Sequence, residues 1–192
     1  FVKYCSPPTH IRSAADALEC TSVTLVNIVG KRNRLADYNW LYVYDLEMLS
    51  TRVTFIETLS KHNVPDGSVG LQVEVYNMGY DSLPKDEVRR RVCEEALSNG
   101  WIDEITDIMV QKVDYANVVS THNRRSNLDT IFNWLSGWGL KREENDLDMV
   151  DDWTNSLQSA VGSIINVGRF AQWKYFWTDD CVLRAQSIST RL

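Results

Sequence analysis

The residues of this chain that could bind a charged ligand are concentrated near its C-terminus, in residues 164–184. An apolar run at 164–167 predicts a buried strand, and Gly168 then allows the backbone to turn sharply or to approach a ligand closely. Arg169 follows, and its planar guanidinium suits phosphate oxygens. Thr-Asp-Asp at 178–180 predicts the start of a helix. This order of features can hold an anionic, planar ligand, although it also fits a turn with a surface arginine and packed aromatic residues.

The aromatic residues of this segment complete a motif. They follow the arginine at short intervals and are Phe170, Trp173 and Tyr175. Gly168-Arg169-Phe170, Trp173-Lys174-Tyr175 and Asp179 together resemble the C-terminal flavin motif of UDP-galactopyranose mutases and related amine-oxidase-like, FAD-dependent proteins, with Trp177 where that family has asparagine. The resemblance implies that FAD binds in the full-length protein. It assigns the cofactor contacts to Gly168, Arg169, Phe170, Trp173, Tyr175 and Asp179.

A second stretch, residues 39–67, resembles another part of the same family. The family pattern there is a W-x-Y strand, an R-V/A-T strand and an N-x-P turn, and the matching residues here are Trp40, Tyr42, Arg52, Val53, Thr54, Asn63 and Pro65. The resemblance implies that Arg52 binds the diphosphate of a sugar nucleotide, with Trp40 and Tyr42 in the same substrate site. From its position alone, Arg52 could instead be a half-exposed arginine of an edge strand whose stem packs on Tyr42.

A third stretch, residues 113–138, resembles the segment that leads the family chain back to its flavin domain. It begins with Val-Asp-Tyr-Ala, continues through His122 and predicts a helix at 127–138. The resemblance places Tyr115 among the substrate-binding residues. No catalytic residue is assigned, because in the mutases the flavin itself attacks the sugar and the protein positions the reactants.

The composition excludes several classes of protein. With 192 residues, a net charge of −6 and a pI of about 5.1, the chain lacks the basic face that nucleic-acid binding needs. No apolar run approaches the ~20 residues of a membrane span. The four cysteines and three histidines are scattered, which predicts no metal site and free thiols in a reducing cytoplasm. The expected partner is a small molecule, and the resemblance implies a sugar nucleotide.

Hydrophobic periodicity predicts an α+β fold with a mixed, largely antiparallel sheet and flanking helices. Strands are predicted at 21–29, 39–44, 51–56, 71–76 and 108–113, and the short links between the second, third and fourth favour an antiparallel meander. Helices are predicted after Pro7-Pro8, at 84–98 and at 122–138. The charged residues 31–34 predict a solvated turn.

The predicted organisation is a substrate-binding region at 1–139, an acidic insertion at 140–162 with a short helix near 152–157, and a strand and helix of an FAD-binding domain at 163–192. No G-x-G-x-x-G is present, so a dinucleotide-binding unit is expected upstream of Phe1. The implied function is that of an FAD-dependent oxidoreductase or mutase acting on a sugar nucleotide. Two alternatives stay open: a non-catalytic binding module for a nucleotide sugar or a partner, and an amine- or polyene-oxidising flavoenzyme.

Overall fold

Five antiparallel strands form the main sheet of this protein, whose computed structural model describes residues 2–32, 38–76, 83–141 and 164–189. The strands are β1 (Cys20–Lys31), β2 (Trp40–Tyr42), β3 (Arg52–Phe55), β4 (Val69–Tyr76) and β5 (Glu104–Val118), in the order β2-β3-β4-β1-β5. The register between β1 and β4 runs from Val23 opposite Tyr76 to Gly30 opposite Val69. Strands β2, β3 and β4 form the predicted meander, and the turn before β4 contains Gly67 at φ +74°.

One face of the sheet carries the hydrophobic core. Side chains of β1, β3 and β4 alternate between faces, so Val53 and Phe55 are buried on the core face and Arg52 and Thr54 lie on the other. The core residues of the sheet pack against a helix, α3 (Lys85–Ser98), which comes after α1 (Thr9–Asp16) and α2 (Ile56–Leu59) in the chain. Three residues spaced by four positions form the buried face of α3: Val88, Val92 and Ala96.

Helix α3 begins and ends as the sequence predicts. Pro84 precedes its first turn, where Asp86 and Glu87 complement the helix dipole, and Asn99-Gly100 ends it with Gly100 at φ +66°. Near its C-terminus, the Glu95 carboxylate accepts hydrogen bonds from the backbone N–H groups of Leu49 (2.8 Å) and Ser50 (3.0 Å) and from the Ser50 hydroxyl. Glu95 therefore ties the link between β2 and β3 to the helix.

The predicted solvated turn at 31–34 is wrong for Arg32, whose side chain is only 6% exposed. Its guanidinium forms an ion pair with Glu57, which is 8% exposed, and donates to the Trp101 carbonyl (3.0 Å). It also lies 4.8 Å from the centre of the Phe55 ring. Glu57 accepts a further hydrogen bond from the Gly70 N–H (3.1 Å), so both charges are partnered inside the protein. Residues 33 and 34 lie outside the described residues.

The chain divides into two compact units, Thr21–Ala116 and a second unit made of Phe1–Cys20 with Asn117–Leu192. In the second unit α1 packs on α4 (Arg124–Ser136) through a small cluster formed by Ile11, Ala14, Ile131 and Leu135. The apolar spacings predicted for both helices are thereby confirmed. The limits predicted for the substrate-binding region (1–139) and for the acidic insertion (140–162) remain predictions.

Two strand predictions need correction. Strand β5 is much longer than the predicted 108–113, because pairs of adjacent exposed residues interrupt its hydrophobic alternation. The predicted strand at 164–167 is reduced to two residues, β7 (Ile164–Ile165), which pairs in parallel with β6 (Leu140–Lys141). Two short helical segments follow, α5 (Arg169–Gln172) and α6 (Thr178–Ser189). The helix predicted near 152–157 and the rest of the acidic insertion lie outside the described residues.

Candidate ligand-binding site

The face of the sheet opposite the core carries a group of polar side chains together with exposed aromatic side chains. We call it the polar sheet face, and it consists of Asn27, Trp40, Tyr42, Arg52, Thr54, Gln72 and Glu74. The register aligns these residues in two rows across the strands, because residues directly opposite one another share a face. One row runs Tyr42, Arg52, Glu74, Leu25, and the other runs Trp40, Thr54, Gln72, Asn27. The structure thus brings the predicted substrate residues Trp40, Tyr42 and Arg52 together.

Both rows begin with an aromatic residue on β2. Trp40 is 44% exposed and Tyr42 is 52% exposed, so both residues are about half accessible to solvent. In the second row Gln72 donates from its amide nitrogen to the Asn27 side-chain oxygen (3.1 Å). Tyr115, the fourth residue that the resemblance assigns to substrate, is exposed on β5, at the edge of the sheet opposite to β2. It does not belong to either row.

Arg52 forms an ion pair with Glu74, the residue directly opposite it on β4. The Arg52 side chain is 33% exposed and the Glu74 side chain is 8% exposed, so the carboxylate is the buried partner. Burial lowers the pKa of the Arg52 guanidinium, but the Glu74 carboxylate and a hydrogen bond with Tyr42 outweigh this and raise the pKa above its ordinary value. Strand β3 lies between β2 and β4, so Arg52 is not on an edge strand.

The ion pair changes what is expected of Arg52. Replacing Arg52 by alanine should lower the free energy of unfolding by about 1–3 kcal/mol, because a buried carboxylate loses its charged partner. The sequence alone predicts an effect on ligand binding with little change in stability. Urea denaturation followed by circular dichroism measures the free energy of unfolding of the wild-type and Arg52→Ala chains. Thr54→Ala is the matched control, since Thr54 lies on the same strand and face without a buried charge; equal stability of the Arg52→Ala and Thr54→Ala variants would contradict the expectation.

The C-terminal motif adopts a turn followed by a short helix. Gly168 has φ +102°, a conformation that glycine adopts without strain, and an added Cβ there would meet no atom of the described residues within 4 Å. Arg169 opens α5 instead of ending a strand, since β7 stops at Ile165. Its guanidinium donates to the Phe176 carbonyl (Nε, 2.8 Å) and to the Asn117 side chain, and lies 4.9 Å from the centre of the Tyr175 ring. Arg169 therefore holds the segment that leads to α6.

Arg124 is a residue of this region that the sequence reasoning missed. It is the first residue of α4, and its Nε donates to the carbonyl of Trp173 (2.9 Å). Trp173 has the left-handed conformation (φ +52°, ψ +44°), and its ring packs edge-on against Phe170 at 5.6 Å. Arg124 thus stabilises an unfavourable backbone conformation. Its partner is 49 residues away in the chain, and no local pattern signals the contact.

Helix α6 begins at Thr178, within one residue of Asp179, as predicted. Thr178 and Asp179 are inside the first turn, and it is Asp180 whose carboxylate accepts a hydrogen bond from the Trp177 N–H (2.8 Å). Tyr175 and Trp177 are exposed just before the helix. The flavin contacts assigned to residues of this segment stay a prediction.

Reactive groups are scarce in the part of the chain that the structure describes. No group of three or more His, Cys, Asp or Glu side chains there could hold a metal ion. Burial raises the pKa of the Cys20 and Cys93 thiols, which disfavours the reactive thiolate. None of the described helices combines the length and apolar character that crossing a membrane requires.

Comparison with solved structures identifies the fold. No family model matches the chain, and no curated protein sequence matches it. The chain is similar to the crystal structure of reduced UDP-galactopyranose mutase, with a TM-score of 0.64 and 18% identity over 85% of this chain and 31% of that chain. It is also similar to a structure assigned as a protoporphyrinogen oxidase from Exiguobacterium sp. 255-15, with a TM-score of 0.56 and 13% identity over 92% of this chain and 36% of that chain.

The chain spans about a third of the length of these solved structures. At such low identity the similarity establishes the fold alone. The predicted α+β class with a largely antiparallel sheet is confirmed. This chain therefore has the fold of one part of UDP-galactopyranose mutase and of the related oxidase, the amine-oxidase-like family whose motifs its sequence resembles.

Proposed function

We propose that this chain is the C-terminal part of an FAD-dependent oxidoreductase or mutase that acts on a sugar nucleotide. The observation that carries the proposal is the agreement between fold and motif. The fold matches part of a UDP-galactopyranose mutase, and the Trp40, Tyr42 and Arg52 residues that resemble that family lie side by side on the polar sheet face. Sequence spacing alone does not produce such a cluster unless the strands pair in this register.

The residues of the C-terminal segment fit a planar cofactor in part. No atom of the described residues crowds the backbone at Gly168, so a flat ring system can approach it there. The Arg169 guanidinium is hydrogen-bonded to Phe176 and Asn117, so its role is to hold the segment rather than to offer a free fork to phosphate. In the whole protein FAD would supply the redox or nucleophilic chemistry. The role of this chain is to bind and orient the sugar substrate.

The chain alone should not hold FAD. The sequence contains no G-x-G-x-x-G, the element that places a pyrophosphate at a helix N-terminus. Titration of the purified 192-residue chain with FAD, followed by flavin fluorescence, should therefore show no saturation at micromolar FAD. Stoichiometric binding in this range would contradict the assignment of the FAD-binding unit to another part of the protein.

The proposed function is tested on the whole protein. The full reading frame that contains this chain should encode a dinucleotide-binding unit, and the purified product should carry flavin and convert a UDP-sugar. A reading frame without such a unit would favour the non-catalytic binding module.

Oxidation of an apolar substrate is the second candidate, since one similar structure is assigned as a protoporphyrinogen oxidase. The polar residues beside the aromatic rings on β3 and β4 favour the sugar substrate.

A further inference from the structure

The two edges of the main sheet differ in how they are protected from pairing with a further strand. Strand β5 forms one edge, and its charged residues are Glu104, Asp107, Lys112 and Asp114. It has 15 residues where its neighbour β1 has 12, although hydrogen bonds from Asp103 to Lys31 and from Val119 to Glu19 join the two strands at both ends. The extra residues of β5 must bulge, and both bulges and charges oppose the addition of a strand.

Strand β2 forms the other edge and lacks both kinds of protection. Residues 38–44 contain no charged side chain, and the described part of the chain places no strand beyond β2. The Val43 N–H donates to β3 (2.9 Å), and the Asn39 carbonyl accepts from β3 (2.8 Å). Because the backbone groups of successive residues point to opposite sides of a strand, those of Trp40 and Tyr42 point away from β3. The outer side of β2 is therefore open to another strand.

Large apolar side chains recur at every second position along this edge. We call them the β2 edge stripe, and they are Trp40, Tyr42, Tyr44 and Leu46. The first two are about half exposed, whereas Tyr44 is 87% and Leu46 is 90% exposed. The turn that carries Leu46 is held in place, since Arg91 of α3 donates to the Glu47 carbonyl (3.0 Å). The β2 edge stripe is thus a preformed apolar surface of the kind that marks protein interfaces.

We propose that two copies of this chain associate by antiparallel pairing of their β2 strands. A two-fold axis at Tyr42 places this residue opposite its own copy and Trp40 opposite Tyr44 of the second copy, so aromatic side chains face one another across the interface. The same register places Asn39 opposite Asp45, and the amide of asparagine can donate to a carboxylate. Within residues 38–46 no two like charges meet. The proposal does not depend on the proposed function.

The exposed area of the β2 edge stripe suits a weak, reversible dimer. A fully covered aromatic side chain buries about 150–250 Å², so the exposed parts of the stripe in two copies amount to on the order of 1,000 Å². This area lies at the low end of specific interfaces, where association is weak, and we expect a dissociation constant of roughly 10–100 μM. The second copy brings the same uncharged edge, and therefore every group that the pairing needs.

Analytical ultracentrifugation of this chain and of the full-length protein that contains it tests the proposal. Both should change from monomer to dimer between about 5 and 500 μM. Tyr44→Lys should weaken association at least about tenfold, because a charged side chain would then be covered without a partner. Leu46→Lys is a second variant with the same expectation, and circular dichroism checks that both fold. Met109→Lys is the matched control, because Met109 is 58% exposed on the other edge strand, and it should dimerise as the wild type does.

Three outcomes would overturn the proposal. The first is a wild-type chain that stays monomeric at about 500 μM, far above the expected dissociation constant. The second is a dimer that Met109→Lys disrupts while Tyr44→Lys and Leu46→Lys do not, since the interface would then lie on β5. The third is a full-length protein that stays monomeric while the chain alone dimerises, because another segment of that protein would then cover β2. A full-length protein that dimerises through β2 without carrying flavin would reject the proposed function and support the interface.

Discussion

Replacement of Arg32 by alanine is expected to lower the free energy of unfolding by about 3–5 kcal/mol, the usual cost of removing one partner of a buried ion pair. Glu57 is 8% exposed and would lose its positively charged partner, while it keeps the hydrogen bond from the Gly70 N–H. The Trp101 carbonyl would also lose its donor. Such a loss is a large fraction of the stability of an ordinary domain. Urea denaturation of wild-type and variant chains measures it.

Two further variants test whether burial of the Arg32–Glu57 pair is the cause of this loss of stability. Arg90→Ala removes an arginine that is exposed on α3, where it pairs with Glu87 and Glu94, and should leave the melting temperature nearly unchanged. The double variant Arg32→Met with Glu57→Leu should recover much of the lost stability, since no unpaired charge remains inside the protein. If Arg32→Ala and Arg90→Ala destabilise the chain equally, burial of the Arg32–Glu57 pair does not control stability.

Replacement of Gly30 by alanine should have a comparable or larger effect. A Cβ at Gly30 would lie 1.8 Å from the backbone oxygen of Glu104 and 2.7 Å from the Ile102 side chain. A flexible side chain could move away, but the backbone oxygen belongs to β5, the neighbour of β1, so the two strands would have to separate. We expect a loss of about 3 kcal/mol or more, or failure to fold, which exceeds most overpacking costs.

Gly137→Ala is the matched control for this substitution. Gly137 has a helical conformation at the end of α4, and an added Cβ would meet its nearest atom, the Trp134 carbonyl oxygen, at 3.3 Å. Its effect on the melting temperature should be small. A Gly30→Ala chain that melts at the wild-type temperature would show that β1 and β5 leave room for a Cβ between Gly30 and Glu104.

The parts of the fold that depend on local pattern could be predicted from the sequence. The alternation of Val53 and Phe55 with Arg52 and Thr54 defines both the strand and its two faces. In α3 the four-residue spacing of buried side chains and the acidic first turn are equally local. The length of β5 was missed because adjacent exposed residues recur along the strand, so the period of two is lost.

Only part of the site could be predicted, because several of its contacts join residues that are far apart in the sequence. Trp40, Tyr42 and Arg52 were identified from motifs, but the partner of Arg52 lies 22 residues away and is defined only by strand register. A signal for it existed, since Gln72 and Glu74 were the polar positions of the next predicted strand. The partners of Arg32 and Arg169 are 25 and 52 residues distant. No pattern within a single element indicates such contacts.

The Glu95 carboxylate has a consequence for the motions of the sheet. It satisfies the amides of Leu49 and Ser50, which are buried and have no neighbouring strand to accept their hydrogen bonds within the described residues. These amides can therefore exchange with solvent only when the C-terminal end of α3 detaches from the link between β2 and β3. Local opening of that link and undocking of the helix are then one cooperative event, not two independent ones. The aromatic strand β2 is in this way coupled to a helix on the opposite face of the sheet.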